Sequence, residues 1–461
     1  MNKARVLKFA SLAVSVGIIA TWFPHKGYSA YSRPIEWSDM NALDLRPVLR
    51  SQYASHGNLY DPVISHSSFD SVLNDSEKRI SPEFHIPDVL KPSVNFWLHI
   101  YTEYSTQNVV IFDSNDLGIV YEMVDLRPLA QKARNQVVYE ILSKRKIDTT
   151  MEAYRKAFTL LARNPRPKNP NREQKIIIEK FKGLKRHRPY NDLKTSVKFI
   201  RGQRDNVIKG LLSAEPFLPK MEMIFRNMQV PPELTKLSLV ESSFDLRATS
   251  KVGASGVWQF MPAIGKKYLI IDDQDQIDER RSPLKSTVAA AKMLRWNYQY
   301  LGNWVLAVIS YNHGLKNLPR SRGKKISFAQ TAHLFESRGK KPILGWASRS
   351  YYCEFLAMVY AEAYRKHFFG EIPFSPVRPI SFVPIKKHET ALTFSMKNAV
   401  SLQEFKLLNA DILDIHQPLP VGFWVVVPGH TDNIHDFVST TLVKMKKLSQ
   451  APSPRHHHKK A

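Results

Sequence analysis

The sequence predicts a mainly α-helical protein carrying two small β-containing regions, one near each end of its folded part. Three observations predict it. Apolar residues recur at helical spacings from Ala130 to about Phe225 and again from Glu233 to Phe244. Runs of β-branched and aromatic residues bounded by turn formers are confined to Val94–Leu126 and Ser381–Pro428. With 461 residues, 43% of them hydrophobic, and 29 prolines, the chain calls for two or three structured units joined by irregular stretches.

At the N-terminus Lys3, Arg5 and Lys8 precede an apolar run from Phe9 to Phe23, followed by the small residues Ser29 and Ala30. This is the pattern of a signal peptide, expected over residues 1–30. The run falls short of the roughly 20 residues that cross a bilayer comfortably, so cleavage is favoured over a retained membrane anchor. No cysteine lies there to carry a lipid. Export to the periplasm or cell envelope is therefore expected. The single cysteine, Cys353, excludes an intrachain disulfide framework and a cysteine metal site.

The formal charge of +26 implies polyanionic partners: nucleic acid, anionic lipid, or a cell wall bearing carboxylates and phosphates. Part of the excess is local, between Arg163 and Lys209 and in a solvated tail after Ser449. The tail histidines His456 to His458, with no carboxylate or cysteine beside them, are a weak metal signal. No nucleic-acid reader motif is recognisable, and nucleic acid is not an expected partner.

Residues 31–84 read as an irregular arm rich in Ser, Asn, Asp, Tyr and Pro. In Val94–Leu126, three runs, Phe96–Tyr101, Val109–Phe112 and Ile119–Val124, predict a small antiparallel sheet or hairpin. Helical periodicity follows, interrupted by the proline loop Asn164–Pro170.

Pro231 and Pro232 suit a helix start. In Glu233–Phe244 an apolar stripe runs through Leu234, Leu237, Val240 and Phe244, and Glu241 lies on or beside it. Burial and the negative end of the helix dipole both disfavour a carboxylate there, so its pKa is expected to rise. A carboxylic acid kept protonated near neutral pH is what a general acid for a glycosidic oxygen requires. Spacing alone leaves open a structural alternative, a carboxylate at the stripe's edge paired with a nearby base.

Glu241-Ser242-Ser243-Phe244 is followed by Ala248-Thr249-Ser250-Lys251-Val252-Gly253-Ala254-Ser255-Gly256-Val257-Trp258-Gln259-Phe260-Met261-Pro262. This resembles the signature of the soluble lytic transglycosylase (SLT) family, most closely its membrane-bound D branch. The resemblance continues through Asp278-Glu279-Arg280, Thr287–Ala291 and Trp304–Gly314, and ends near Gly345–Tyr352. It implies a lysozyme-like (goose-type) catalytic domain over 214–372; the strand-like runs and helical periodicity before it make 85–213 a β-then-helical region. It implies peptidoglycan glycan strands as substrate, cleavage of the β-1,4 bond between N-acetylmuramic acid and N-acetylglucosamine, and 1,6-anhydro product ends. Glu241 takes the position of the single acid/base. Ser250, Gln259, Met261, Tyr311, Asn312 and Tyr351 take substrate-binding positions. No metal or organic cofactor is implied. The chain departs from the commonest pattern at His313 and Tyr352.

Glycosidases with two carboxylates need the second about 5 to 10 Å from the first. Asp245, four residues on, and Asp272, Asp273 and Asp278, in the polar stretch after the glycine loop, all suit turn, capping or salt-bridge roles, and no second carboxylate stands out. Gly253 and Gly256 mark a loop where backbone can approach a ligand closely. Trp258 suits the core. Tyr311 and Asn312 are expected to end a helix that starts near Asn303 and stops at His313-Gly314.

The order strand, helix, helix, strand over 379–430, with a capping box at Ser401 and Glu404 and with Asn409, resembles a degenerate LysM module, a small N-acetylglucosamine-binding fold. A packing appendage that no longer binds sugar is the alternative. A helix and basic tail, 431–461, follow. Two rival functions stand beside the transglycosylase: a lysozyme-type hydrolase and a non-catalytic wall-binding scaffold.

Overall fold

The computed structural model describes residues 69–183, 189–316, 318–321, 323–335, 344–370, 379–431 and 433–450. The signal-peptide segment, most of the arm and the terminal histidines lie outside them. The protein is mainly helical, as expected, and divides into two compact units. The first gathers the described residues up to Lys209 with those of Leu301–Ile372; the second gathers Gly210–Tyr300 with the described residues of Pro373–Ala461.

In the first unit, strands Asn108–Asp113 and Asp116–Asp125 form the expected hairpin, with Val109 opposite Val124. A third strand, Val197–Arg201, completes an antiparallel sheet on the other side of Asn108–Asp113. The sequence reading expected only helix there; the pairing partner lies almost ninety residues upstream and is invisible to local periodicity. The long helix Gln136–Arg163 packs Ile147, Met151, Tyr154, Phe158 and Leu161 against this sheet's core.

Phe96–Tyr101 is not a strand. It belongs to a helix, Lys91–Thr102, with Pro92 in its first turn. Val94, Phe96, Trp97, Leu98, Ile100 and Tyr101 are all buried, because the helix is sandwiched between the helix Trp346–Ala363 and the sheet. An apolar run buried on every side shows neither helical nor strand period. Residues 69–84, read as the end of a loose arm, are also packed: Phe69, Val72, Leu73, Ile80 and Phe84 are buried, and Asp75 accepts a 2.6 Å hydrogen bond from the Tyr364 hydroxyl.

In the second unit, the stretch read as one helix from Glu233 is a 3-10 turn, Pro232–Lys236, running into a short α-helix, Leu237–Ser242. Ser243 and Phe244 then both adopt left-handed backbone, φ 50° and 54°. The chain turns sharply just after Glu241, and Phe244 lies past the helix end yet is fully buried, stacked on Phe217. Helix Leu218–Asn227 packs against the 3-10 turn.

The C-terminal segment forms the expected strand, helix, helix, strand order: Ile380–Pro384, Ala391–Lys397, Leu402–Leu408 and Trp424–Pro428. The two strands pair antiparallel. Ser401 Oγ accepts from the Glu404 amide, capping the second helix. The buried Asn409 side chain both accepts from and donates to the Val426 backbone at 2.7 Å, bolting the end of that helix to the last strand.

Candidate active site

Glu241 sits in the last turn of Leu237–Ser242 and is 8% exposed. Leu237, Leu239 and Val240 of the same helix are buried with it. Its position is fixed from two directions. On one side Gly210 meets the turn that follows the acid so closely that a Cβ there would lie 2.6 Å from the Ser243 carbonyl. On the other, Ser242 Oγ donates to the Ser238 carbonyl and lies 3.1 Å from the Val257 carbonyl, tying the acid's helix to the glycine loop.

That loop, Ala248–Met261, is closed on itself. The Ser250 amide donates to the Ala254 carbonyl at 2.8 Å, Ser250 Oγ accepts from the Ala254 amide, and Gly253 turns back onto the Ser250 carbonyl. Gln259, in left-handed backbone, donates its side-chain amide to the Gly256 carbonyl at 2.9 Å. Met261, 36% exposed, starts the short helix Pro262–Gly265. Trp258 is fully buried: its indole N–H donates to Thr287 Oγ1 at 2.9 Å and its ring stacks on Phe225. It is core, as its type suggested.

The residue that sequence reasoning left without a role is Arg280. Its Nη1 donates to the Gly253 carbonyl at 2.7 Å and to the Phe260 carbonyl at 3.2 Å, gripping both ends of the loop. Its Nε and Nη2 bind the two oxygens of Asp278 at 2.9 and 2.7 Å. Both side chains are about nine-tenths buried. The only signal was position, in the Asp278-Glu279-Arg280 stretch that carries part of the resemblance. The loop's backbone presses on the same segment: a Cβ on Gly256, φ 75°, would lie 1.8 Å from the Arg280 carbonyl. Gly256→Ala should therefore cost at least about 2 kcal/mol, through overpacking against backbone that cannot rotate away. Urea denaturation of the full-length variant checks this.

Three of the four aspartates considered as a second carboxylate are engaged elsewhere. Asp245 accepts from the Arg247 amide, Asp272 from the amides of Gln274 and Asp275, and Asp278 holds Arg280. Asp273 is exposed on that turn.

The other expected site residues lie in the first unit. Tyr311 and Asn312 end the helix Trp304–His313, capped by Asn303 at its start and by Gly314, φ 75°, at its stop. Asn312 Oδ1 is buried and has no hydrogen-bond partner among the described residues. A buried acceptor of this kind calls for a donor. Tyr351 lies on the adjoining helix Trp346–Ala363 and is 1% exposed, the least accessible of the seven. His313 Nδ1 lies 3.0 Å from Ser348 Oγ, and burial holds its imidazole below the ordinary histidine range. Glu241, Ser250, Gln259 and Met261 thus share one continuous stretch of the second unit, and Tyr311, Asn312 and Tyr351 share two packed helices of the first. Among the described residues no cluster of His, Cys, Asp or Glu could hold a metal ion.

Residues 222–333 match the family described as Transglycosylase SLT domain. The chain is 36% identical over 124 residues to membrane-bound lytic murein transglycosylase D of Escherichia coli (strain K12), covering 25% of this chain and 27% of that protein. The same values hold for the protein of that name in Escherichia coli O6:H1. A protein of Alteromonas sp. (strain M-1), named for tributyltin chloride resistance, is 33% identical over 102 residues, 22% of this chain and 49% of its own length. The chain thus spans about a quarter of the length of the two murein transglycosylases it matches.

Proposed function

We propose that this protein cleaves peptidoglycan glycan strands as a lytic transglycosylase, with Glu241 as sole acid and base. The observation that carries the reading is a nearly buried carboxylate at the end of a helix whose next residue is hydrogen-bonded to the glycine loop, within the stretch that matches the SLT domain.

Protonated Glu241 donates its proton to the glycosidic oxygen as the bond from C1 of N-acetylmuramic acid breaks. The substrate's own acetamido group stabilises the electron-poor C1. Glu241, now a carboxylate, takes the proton from the 6-hydroxyl of the same sugar, and that oxygen closes onto C1. The product carries a 1,6-anhydro ring, no water is consumed, and Glu241 ends protonated as it began. One carboxylate suffices, in keeping with the structural tasks of Asp245, Asp272 and Asp278. Ser250, Gln259 and Met261 in the second unit, and Tyr311, Asn312 and Tyr351 in the first, are the residues assigned to contact the sugar chain. The unpartnered Asn312 oxygen suits a sugar hydroxyl or amide donor.

The charge of +26 suits a wall rich in carboxylates and phosphates. Lys3, Arg5 and Lys8 before the apolar run, and the relatives' membrane-bound designation, favour a location in the cell envelope. Among the described residues no helix is long and apolar enough to cross a membrane. The strand, helix, helix, strand order with Asn409 as its bolt supports a LysM-like C-terminal module.

Mass spectrometry of sacculi digested by the purified protein tests the reaction. Muropeptides ending in 1,6-anhydro-muramic acid are expected. Reducing ends instead would make the protein a lysozyme-type hydrolase, and no soluble product would leave a wall-binding scaffold.

A further inference from the structure

In the second unit, the hairpin Ile271–Asp278 and the C-terminal module meet as an interior, not as two surfaces joined by a linker. Ile277 belongs to the module's own apolar core, packed with Ile385, Phe394, Phe405, Ile412 and Phe423. The backbones pair as well: the Asp278 amide donates to the Asp411 carbonyl and the Leu413 amide to the Gln276 carbonyl, both at 2.9 Å.

Around this seam four ionisable side chains meet, three of them buried and Lys444 half-buried. Lys285 Nζ lies 2.6 Å from Asp411 Oδ2 and 3.5 Å from Glu279 Oε1, each side chain no more than 4% exposed. Lys444, on the final helix Ile434–Gln450, reaches the same Glu279 oxygen at 2.7 Å. Lys285 also stands 3.4 Å from the centre of the Phe423 ring. Two lysines face two carboxyl groups, the arrangement under which such groups tolerate burial, though burial still pushes the Asp411 carboxyl above the ordinary range. Glu279 stays ionised: its carboxyl is held below the usual range, burial pushing it up but the two lysines and the Ile270 amide prevailing. Glu279 and Lys285 come from the SLT stretch; Asp411, Phe423 and Lys444 come from the C-terminal segment. Were the module to swing free, Ile277 and Phe423 would be wetted and the Lys285–Asp411 and Lys444–Glu279 pairs would both be broken.

Glu279 sits between Asp278 and Arg280 in sequence, and Arg280 grips Gly253 and Phe260. We infer that the C-terminal module is a fixed buttress of the half that bears Glu241, in which Lys285, Asp411 and Lys444 act as positioning residues: through Glu279 and the Asp278–Arg280 pair they hold the glycine loop in its substrate-binding shape. This differs from a tethered wall-binding module, whose loss would weaken adhesion and leave the loop alone. The activity arm of its test rests on the transglycosylase reading; the structural arm does not.

The test uses full-length Lys285→Met, with its fold checked by circular dichroism, and Lys285→Arg as the conservative partner. Hydrogen exchange in peptides covering 250–260 is expected to speed up by about tenfold or more, and kcat on sacculi to fall by a similar factor, since a displacement near 1 Å at a site costs that much or more. Co-sedimentation with sacculi stays close to the wild type, and Lys285→Arg recovers part of both losses. If Lys285→Met does not fold, Lys444→Met, whose side chain is 34% exposed, carries the same comparison. Unchanged exchange over 250–260, or weaker sacculus binding with kcat intact, would overturn the inference. An inactive wild type would instead sink the transglycosylase reading, while the exchange comparison would still decide the buttress.

Discussion

Glu241→Gln is expected to lower glycan-strand cleavage by at least about 10³-fold, because general acid–base catalysis contributes 10² to 10⁴ and here one side chain would supply both halves of it. Glutamine keeps the shape and can hydrogen-bond, but it can neither give up a proton to the leaving oxygen nor take one from the 6-hydroxyl. Stability should move the other way or not at all. The carboxylate is 8% exposed, in the final turn of its helix, where the helix dipole and burial both oppose negative charge. An uncharged side chain removes that penalty, the usual trade between stability and an active site. Turbidity clearance of sacculi, read beside a thermal melt of both proteins, measures the two effects together. Clearance within tenfold of wild type would remove Glu241 from the mechanism.

Arg280→Met is expected to cost about 3 to 5 kcal/mol, the range for breaking a buried ion pair from one side. It leaves Asp278, 6% exposed, without its cation, and leaves the Gly253 and Phe260 carbonyls without their donor. Lysine would not rescue it, since one ammonium cannot reproduce the fork that reaches a carboxylate and two carbonyls at once. The Asp278→Asn, Arg280→Met double variant should lose less than the sum of the single losses, because the second change removes the charge that the first one strands. Urea denaturation of the four proteins closes that cycle. Additive losses would show that Arg280 acts on the loop without Asp278.

Several parts of this molecule can be read from the sequence because they are local. Asn303 and Gly314 bracket the helix that ends in Tyr311 and Asn312, Val109–Phe112 and Ile119–Val124 form the hairpin, and the C-terminal strands flank their two helices in the expected order. Trp258 is core, as its type suggested. What stayed hidden depends on partners far along the chain or on backbone that side chains do not announce. Nothing in Val197–Arg201 names Val109–Asp113 as its neighbour. Phe96–Tyr101, apolar but for His99, shows no clear period until the surfaces on both its sides are known. Ser243 and Phe244 turn left-handed without a glycine to mark the place. Of the seven expected site residues, the identities follow from the motif, whereas the grip of Arg280 on Gly253 joins positions too far apart for spacing to suggest.

The unit that bears Glu241 is written in two instalments. Lys285 and Asp411 meet across 126 positions, and Lys444 and Glu279 across 165. A chain emerging from the ribosome presents the carboxylate and its loop first, with Ile277 still facing water and the charges of Glu279 and Lys285 uncovered, and such distant pairings form late. A fragment that stops before the final strand carries the acid but lacks what steadies the loop beside it. The held shape of the loop beside Glu241 is thus completed only when Lys444, 165 positions beyond Glu279, has folded into place.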